Sequence, residues 1–258
     1  MIKFENTVTP SPEQWRAIIM GTRNPMNSWD KSDSYEGYSC FECNVLNENG
    51  ICTKEDKGSH CEKLKKFQLG ENDLDLMKRL RKAGTDHRKF MRMITVYVDI
   101  TAPLYWWKEF DTYKVGTVAN SCSTMHKIQA KEFTLDDFSH EHLMADGLHC
   151  FPLGGSWRGL SPLEMLNSTI ELLNNARKYY LYMKEQKTPA SNEKAKEVWW
   201  QMIQLLPSSY NQKRTVMLNY EVLANMYHAR KNHKLDCWIE FCKWIETLPY
   251  AKELIIGE

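Results

Sequence analysis

The sequence predicts an α+β fold in which helices outnumber strands. One run, Ile94 to Ile100, alternates apolar side chains on a β-branched and aromatic background, which is typical of a strand with one buried face. From Ser161 onward the apolar positions instead recur at helical spacing. The 258 residues are 42% hydrophobic and 12% aromatic, so the chain can bury a sizeable core and is not intrinsically disordered.

The first part of the chain predicts two helices separated by irregular segments. Ser11 is placed to cap a short helix from Glu13 to Met20. A polar loop follows, and residues 35–70 have so little periodicity that we interpret them as an irregular insertion. Asn72 then has the character of an N-cap for a helix from Asp73 to Ala83.

A short aromatic helix follows the strand, and four longer helices complete the chain. Pro103 fits the first turn of a helix from Leu104 to Phe110, and the polar segment 112–126 indicates a loop or a short strand. Breaks at proline separate the longer helices, which are Pro162 to Glu185, Ser191 to Leu206, Val216 to Arg230 and Asp236 to Thr247. We therefore treat residues 1–258 as a single domain that contains the 35–70 insertion.

Composition and charge exclude several classes of function. The chain contains 34 Lys and Arg residues and 33 Asp and Glu residues. The resulting net charge of +1 gives no reason to expect a nucleic-acid partner. No apolar run reaches the ~20 residues of a membrane span. The first residues lack the basic and apolar regions of a signal peptide. We therefore expect a cytoplasmic protein without membrane contact, whose eight cysteines are thiols, metal ligands or catalytic groups.

Four of these cysteines lie close together in the insertion, and they are Cys40, Cys43, Cys52 and Cys61. The first two form a Cys-x-x-Cys pair, the common first half of a tetrahedral zinc site, and the others follow at irregular spacing. The pattern predicts a metal site, with zinc favoured over an iron–sulfur cluster. A second group, around His140 and His142, lacks ligand spacing because residues two apart do not share a helix face.

Two stretches of the sequence carry motifs in a fixed order. In the first, from His87 to Lys127, the strand leads into Ala102-Pro103, a short helix follows, and residues 112–125 come next. The second, residues 206–233, carries Leu206-Pro207 and then Asn219, Asn225 and Arg230. Both stretches resemble the flavin-dependent thymidylate synthases, which reductively methylate dUMP. In that family the strand, Ala-Pro and the short helix precede the signature Arg-His-Arg-x-x-Ser-x-Asn-Glu-x-Ser-x-Arg-Tyr, which residues 112–125 occupy without a gap, and the later Asn and Arg residues keep the family spacing.

The resemblance implies roles for residues in the signature, several of which are altered. Lys114 stands at an Arg position and Thr117 at the Ser position, and both keep the chemical type. In the gapless register Cys122 replaces the reactive Ser and Asn120 replaces the Glu. A one-residue slip instead places Asn120 on Asn and Ser123 on Ser. Lys114 with Cys122 or Ser123 would then meet the reacting pyrimidine, and both registers stay open.

The resemblance also implies which residues bind the flavin and the nucleotide. Arg230 would hold the nucleotide phosphate, although a basic helix end is also typical of a solvated surface that suits the helix dipole. Asn219 lies eleven residues earlier, on the same face of the predicted helix, and Glu221 replaces a flavin-binding Arg. The implied flavin-binding residues are Asn219, Asn225, His87, Ser28 and Tyr113, and the implied substrate-binding residues are Arg230, Asn120, Thr117 and Arg23.

The resemblance implies a central sheet flanked by long helices and a diverged enzyme that methylates or hydroxymethylates a pyrimidine nucleotide such as dUMP. It also implies FAD as the cofactor, methylenetetrahydrofolate and NADPH as cosubstrates, and a homotetramer. The altered signature leaves a second function open, that of a catalytically inactive nucleotide- or protein-binding module on the same scaffold.

Overall fold

The computed structural model describes residues 2–39, 64–145 and 161–257, and it confirms the predicted α+β class. The strands are β1 (Lys3–Val8), β2 (Tyr35–Ser39), β3 (Leu64–Gln68), β4 (Thr95–Pro103), β5 (Thr117–Ser121) and β6 (Asn211–Asn219). The helices are α1 (Pro12–Arg23), α2 (Glu71–Lys82), α3 (Leu104–Phe110), α4 (Thr124–Lys127), α5 (Pro162–Glu185), α6 (Pro189–Leu205), α7 (Tyr220–Arg230) and α8 (Asp236–Glu246). Four strands form a sheet in the order β1-β4-β6-β5, and β2 pairs antiparallel with β3, with Tyr35 opposite Gln68.

The chain divides into two compact units. The first unit comprises Met1–Glu5, Asp99–Thr112 and Ala119–Thr215, and the second comprises Asn6–Val98, Tyr113–Val118 and Val216–Glu258. The assignment of one domain with an insertion at 35–70 stays a prediction. The prediction that this segment is irregular is wrong at its two ends, because Tyr35–Ser39 and Leu64–Gln68 are paired strands. Within the described ranges, no helix is both long and apolar enough to span a membrane.

The first unit is built on the pair of long helices α5 and α6. Ser161 and Glu164 close a capping box at the start of α5, which has Pro162 in its first turn, as the sequence predicts. Leu166, Ile170 and Leu173 recur at helical spacing and are buried together with Met202 of α6 and with Phe133 and Phe138. Each fully buried side chain of this size stabilises the fold by about 1.5–3 kcal/mol.

The second unit buries its largest aromatic side chains around α7 and α8. Trp238 and Tyr220 have no solvent exposure. The Tyr220 hydroxyl donates a 2.6 Å hydrogen bond to the carbonyl oxygen of Pro249, and burial raises the pKa of this tyrosine above its ordinary value. Trp15 of α1 stacks on Phe67 of β3, with ring centroids 6.0 Å apart.

Helices α1 and α2 are among those whose ends differ from the predicted ones. Helix α1 continues past Met20 to Arg23, because Thr22 is buried and donates its hydroxyl to the Ile18 carbonyl oxygen. Helix α2 begins at Glu71 with Gly70 as its N-cap. The Asp33 carboxylate accepts hydrogen bonds from the backbone N–H groups of Asn72 and Asp73, at 2.8 and 3.0 Å. A side chain remote in sequence therefore satisfies the free donors of this helix end.

The helix predicted from Val216 is wrong over its first four residues, which belong to β6. Val216 and Leu218 are buried and their neighbours Thr215 and Met217 are more exposed, so the burial alternates as in a strand. Asn219 ends β6 and caps α7, because its Oδ1 accepts a 3.0 Å hydrogen bond from the backbone N–H of Val222. Asn219 therefore does not lie on the helix face that carries Arg230.

Candidate functional site

Arg230, in the last turn of α7, is held by two aromatic rings of the second unit. Its Nε donates a 2.9 Å hydrogen bond to Tyr113 Oη. Its Cζ lies 4.7 Å from the ring centroid of Trp238 and 5.6 Å from that of Tyr113. Contacts of this kind attract a guanidinium by about 0.5–2 kcal/mol and fix its plane. The predicted phosphate-binding residue is thus a pre-positioned cation.

One face of α7 meets three arginines that precede β4. We call this group of six residues the α7 cationic face: Glu221, Asn225, His228, Arg81, Arg88 and Arg92. The three α7 residues are four and three apart and so share one side of the helix. Glu221 accepts hydrogen bonds from Arg92 and, at 3.2 Å, from Arg88 Nε. Arg88 Nη2 lies 3.4 Å from Asn225 Oδ1, and Arg81 Nη2 lies 3.5 Å from His228 Nε2.

The charges on this face are unequal. Glu221 pairs with Arg88 and Arg92, and the carboxylate of Asp86 also attracts Arg92, so three guanidinium groups outnumber two carboxylates. Burial would raise the pKa of Glu221, but the hydrogen bonds and charges of Arg92 and Arg88 outweigh it and hold that pKa below its ordinary value. Burial, and then the like charge of Arg88, lower the pKa of Arg81. The face therefore has a surplus of positive charge that an anion would relieve.

The sequence did not identify Arg81, Arg88 and Arg92 as site residues. Their signal was indirect: Glu221 stands where the resemblance places an Arg, and a segment rich in Arg follows α2. Only the packing of residues 81–92 against α7 brings the two together.

The start of the signature forms a tight turn in the second unit. Thr117 Oγ1 donates a 2.7 Å hydrogen bond to the carbonyl oxygen of Tyr113, and Gly116 adopts a φ of +86°. Asn219 Nδ2 donates to the Gly116 carbonyl oxygen at 3.3 Å. Lys114 is exposed. Tyr113, Thr117 and Asn219 thus belong to one hydrogen-bonded arrangement, and their roles in binding stay predictions.

Three other signature residues lie in the first unit. Asn120 is exposed on β5. Cys122 is a free, exposed thiol whose backbone N–H donates a 2.9 Å hydrogen bond to the Lys213 carbonyl oxygen. Ser123 caps the short helix α4, because its Oγ accepts a 3.2 Å hydrogen bond from the N–H of His126. The Cys122 side chain carries no capping role of this kind, and the choice of register stays a prediction.

Arg23 and Ser28 belong to a buried ion-pair network around Asp73. Arg23 is 3% exposed and pairs with the Asp73 carboxylate, and its Nη1 donates to the carbonyl oxygen and hydroxyl of Ser28 at 3.1 and 3.3 Å. Ser32 and Ser34 also donate their hydroxyls to Asp73. Most of the donor capacity of Arg23 is therefore used inside the protein, and its binding of substrate stays a prediction.

His87 is exposed and immediately precedes Arg88, at the edge of the α7 cationic face. The predicted metal ligands Cys40, Cys43, Cys52 and Cys61 lie outside the described residues. Among the residues that the structure describes, no group of three or more His, Cys, Asp and Glu side chains is arranged to hold a metal ion.

Comparison with known proteins finds solved structures with a similar fold and low sequence identity. Thymidylate synthase X from Helicobacter pylori, in a crystal structure with FAD and dUMP, is similar with a TM-score of 0.53 and 14% identity, over 98% of this chain and 96% of that one. The UMP/dUMP methylase PolB from Streptomyces cacaoi, bound with 5-Br dUMP, is similar with a TM-score of 0.52 and 13% identity, over 100% and 95% of the two chains. No protein-family model and no curated protein matches the sequence.

The chain therefore has an α+β fold that it shares over nearly its whole length with nucleotide-binding proteins of known structure. That fold is the fold of the flavin-dependent thymidylate synthases. The resemblance predicted from the sequence is therefore confirmed at the level of the fold. At such low identity the fold does not by itself assign an activity.

Proposed function

We propose that this protein binds FAD and a pyrimidine nucleotide, and that it is a diverged enzyme of the flavin-dependent thymidylate synthase type. The observation that carries the proposal is the α7 cationic face. It contains the Asn225 position that the resemblance assigns to flavin, and it supplies cations where the chain lacks the expected Arg. The similar proteins with FAD and dUMP, and with a brominated dUMP, support the same ligand classes.

The donor set on this face fits the pyrophosphate of FAD. Guanidinium groups recognise phosphate oxygens with paired, charge-assisted hydrogen bonds. Three guanidinium groups against the carboxylates of Glu221 and Asp86 leave a surplus of positive charge that a pyrophosphate would neutralise. In this proposal Arg88 and Arg92 hold the cofactor, Glu221 orients them, and Asn225 and His87 contribute polar contacts at the edge.

The nucleotide phosphate is assigned to Arg230, because Tyr113 and Trp238 already fix its guanidinium. A fixed cation loses little conformational freedom on binding an anion. Asn219 acts through the turn at Gly116, which it positions. The resemblance assigns Thr117, Asn120 and Arg23 each to the substrate. The resemblance assigns Ser28 to flavin, and Ser28 Oγ accepts a hydrogen bond from Arg23.

The reacting pyrimidine is assigned to Lys114 and to Cys122 or Ser123. FAD reduced by NADPH would supply a hydride, and methylenetetrahydrofolate the one-carbon unit. The exposed ammonium of Lys114 can stabilise negative charge on the ring, and the Cys122 thiol or Ser123 hydroxyl can donate a hydrogen bond to it. Methylation and hydroxymethylation of the ring differ in whether this hydride is consumed.

Flavin binding is tested by titrating FAD into the purified protein and following the quenching of flavin fluorescence and the visible spectrum. We expect Arg88→Gln to weaken FAD at least tenfold, since one charge-assisted hydrogen bond is worth about 1.5–3 kcal/mol. Lys89→Gln removes a neighbouring exposed charge from the same turn and should have little effect. Equal losses in both variants, or no binding by the wild type, would contradict the assignment.

One observation favours the alternative of an inactive binding module: Glu221, a carboxylate, lies on the face assigned to the flavin phosphates. A binding module would take nucleotide without oxidising NADPH. The decisive assay supplies FAD, NADPH, methylenetetrahydrofolate and dUMP or UMP, and follows NADPH absorbance and the nucleotide product by mass spectrometry. Nucleotide binding without product favours the module.

Three further parts of the proposal rest on the sequence and the resemblance. Zinc at Cys40, Cys43, Cys52 and Cys61 is tested by elemental analysis of the purified protein, and absence of both zinc and iron would exclude it. A homotetramer is tested by light scattering. Cytoplasmic localisation is tested by fractionation of cells that express the tagged protein.

A further inference from the structure

A second cleft lies in the first unit, where α5 ends and α6 begins. Its volume is about 350 Å³, within the range of small-molecule sites. Residues of α4, α5 and α6 line it, and the side chains used here are His126, Gln129, Tyr180, Lys184, Lys196 and Trp199. None of the residues assigned above to flavin, nucleotide or the reacting ring lines this cleft.

The walls of the cleft include two aromatic rings held in place. Trp199 Nε1 donates a 2.9 Å hydrogen bond to the carbonyl oxygen of Met125, which fixes the plane of the indole. Tyr180 and Trp199 also pack against the core cluster of this unit. Fixed aromatic walls offer stacking to a planar ring at a small entropic cost.

The polar part of the cleft is cationic. Of the described residues that line it, two are lysines and none is a carboxylate. Lys184 Nζ donates a 3.0 Å hydrogen bond to the neutral amide oxygen of Asn192, so its charge is not neutralised there. The Gln129 Oε1 atom is buried without a hydrogen-bond partner among the described residues, and a donor on a ligand or a water would satisfy it.

We propose that this cleft binds a small aromatic anion, a planar ring that carries a phosphate or two carboxylates. Lys184 and Lys196 bind the negative groups, and Trp199 and Tyr180 stack on the ring. Such a ligand could be an aryl phosphate or an aryl dicarboxylate, which share this chemistry. Met125 and His126, which also line the cleft, follow closely after Cys122 and Ser123 in the sequence.

The test is calorimetric titration of the full chain with 4-nitrophenyl phosphate, with p-aminobenzoylglutamate and with uncharged 4-nitrobenzyl alcohol. We expect one or both anions to bind with a Kd below about 1 mM, and the alcohol at least tenfold more weakly. The anion that binds more tightly shows whether the cleft prefers a phosphate or a pair of carboxylates. Failure of both anions to bind overturns the proposal.

Matched variants separate this site from nonspecific attraction. Lys184→Gln with Lys196→Gln should weaken the anion at least tenfold. Lys178→Gln with Lys194→Gln removes the same charge from the same two helices outside the cleft and should leave the affinity within about twofold. Equal losses in the two double variants overturn the proposal. Arg230→Gln and Arg88→Gln should leave this binding unchanged, so the cleft and the proposed flavin and nucleotide sites succeed or fail separately.

Discussion

Asn219, the last residue of β6, donates a 3.3 Å hydrogen bond from Nδ2 to the carbonyl oxygen of Gly116. The same side chain caps α7 through Oδ1. One amide therefore ties the turn that carries Tyr113 and Lys114 to the beginning of the helix that carries Arg230. The contacts proposed for the nucleotide depend on a residue that need not touch it.

Substitution of Asn219 separates its two hydrogen bonds. Asn219→Ala removes both and should lower the free energy of unfolding by about 1–2 kcal/mol, the usual cost of losing an N-cap. Asn219→Ser keeps a side-chain oxygen that can cap α7 and loses the donor to Gly116, so it should cost about half as much. Urea denaturation measures both values, and equal destabilisation by Ala and Ser would show that the cap contributes nothing.

Gly116 should tolerate a methyl group less well than Gly84. Both have positive φ, +86° and +105°, and a side chain at such angles costs about 1 kcal/mol. A Cβ on Gly116 would lie 2.6 Å from Asn219 Nδ2, whereas a Cβ on Gly84 meets open space. We expect Gly116→Ala to be clearly more destabilising than Gly84→Ala by thermal denaturation. The reverse order would contradict the described turn.

The Asp73 network should dominate the stability of the second unit. Asp73→Asn leaves the buried guanidinium of Arg23 without its counter-charge, at a cost of about 3–5 kcal/mol. Asp75 is the matched control, because it pairs with Arg79 on the exposed face of the same helix. Asp75→Asn should change the unfolding free energy by less than about 1 kcal/mol. Similar effects of the two substitutions would rule out a buried pair.

The same carboxylate predicts a dependence of stability on pH. Burial would raise the pKa of Asp73, but hydrogen bonds from Ser34, Ser32 and Arg23 and the charge of Arg23 hold it below its ordinary value. The unfolded chain therefore binds a proton at a higher pH than the folded chain does. The stabilisation is complete above about pH 5 and is lost as pH falls below the unfolded value of about 3.9 toward the lower folded pKa. Asp73→Asn should flatten this part of the stability profile.

Tyr113→Phe tests the positioning of Arg230. The change removes the hydroxyl that accepts from Arg230 Nε and keeps the ring. We expect the Kd for dUMP or UMP to rise three- to tenfold, with the melting temperature nearly unchanged, since one net hydrogen bond is worth about 1 kcal/mol. Tyr97→Phe, on an exposed part of β4, is the control. A loss of stability without a change in Kd would point to a purely structural hydroxyl.

The sequence was most informative where a pattern is long and local. Helix α5 begins and ends at the predicted residues, because a proline in its first turn, a capping box and six turns of periodicity agree. Strand β6 was hidden, since Val216 to Arg230 contains no proline or glycine and its apolar residues fit a helix as well as a strand. The decisive feature is the pairing of 211–219 within a sheet, which no local pattern records.

The candidate site was predictable in part for the same reason. The family resemblance of one continuous segment implied roles for Arg230 and Asn225, and those roles stay predictions. The arginines at 81, 88 and 92 could not be identified in this way, because their role depends on Glu221 and its helix neighbours more than 125 residues away. Asp73 likewise had the sequence position of an acidic residue in the first turn of a helix. Its partners in the structure, Arg23 and Ser34, are remote in sequence.

Strand β6 passes into α7 without an intervening residue, Asn219 being followed directly by Tyr220. The register of the strand therefore sets the rotation of the helix about its own axis. A single residue inserted into β6 would exchange its buried and exposed faces, and one inserted just after Asn219 would turn the remainder of α7 by about 100°. The second change would carry Asn225 and His228 away from Arg88 and Arg81, so this junction has no tolerance for a change in length.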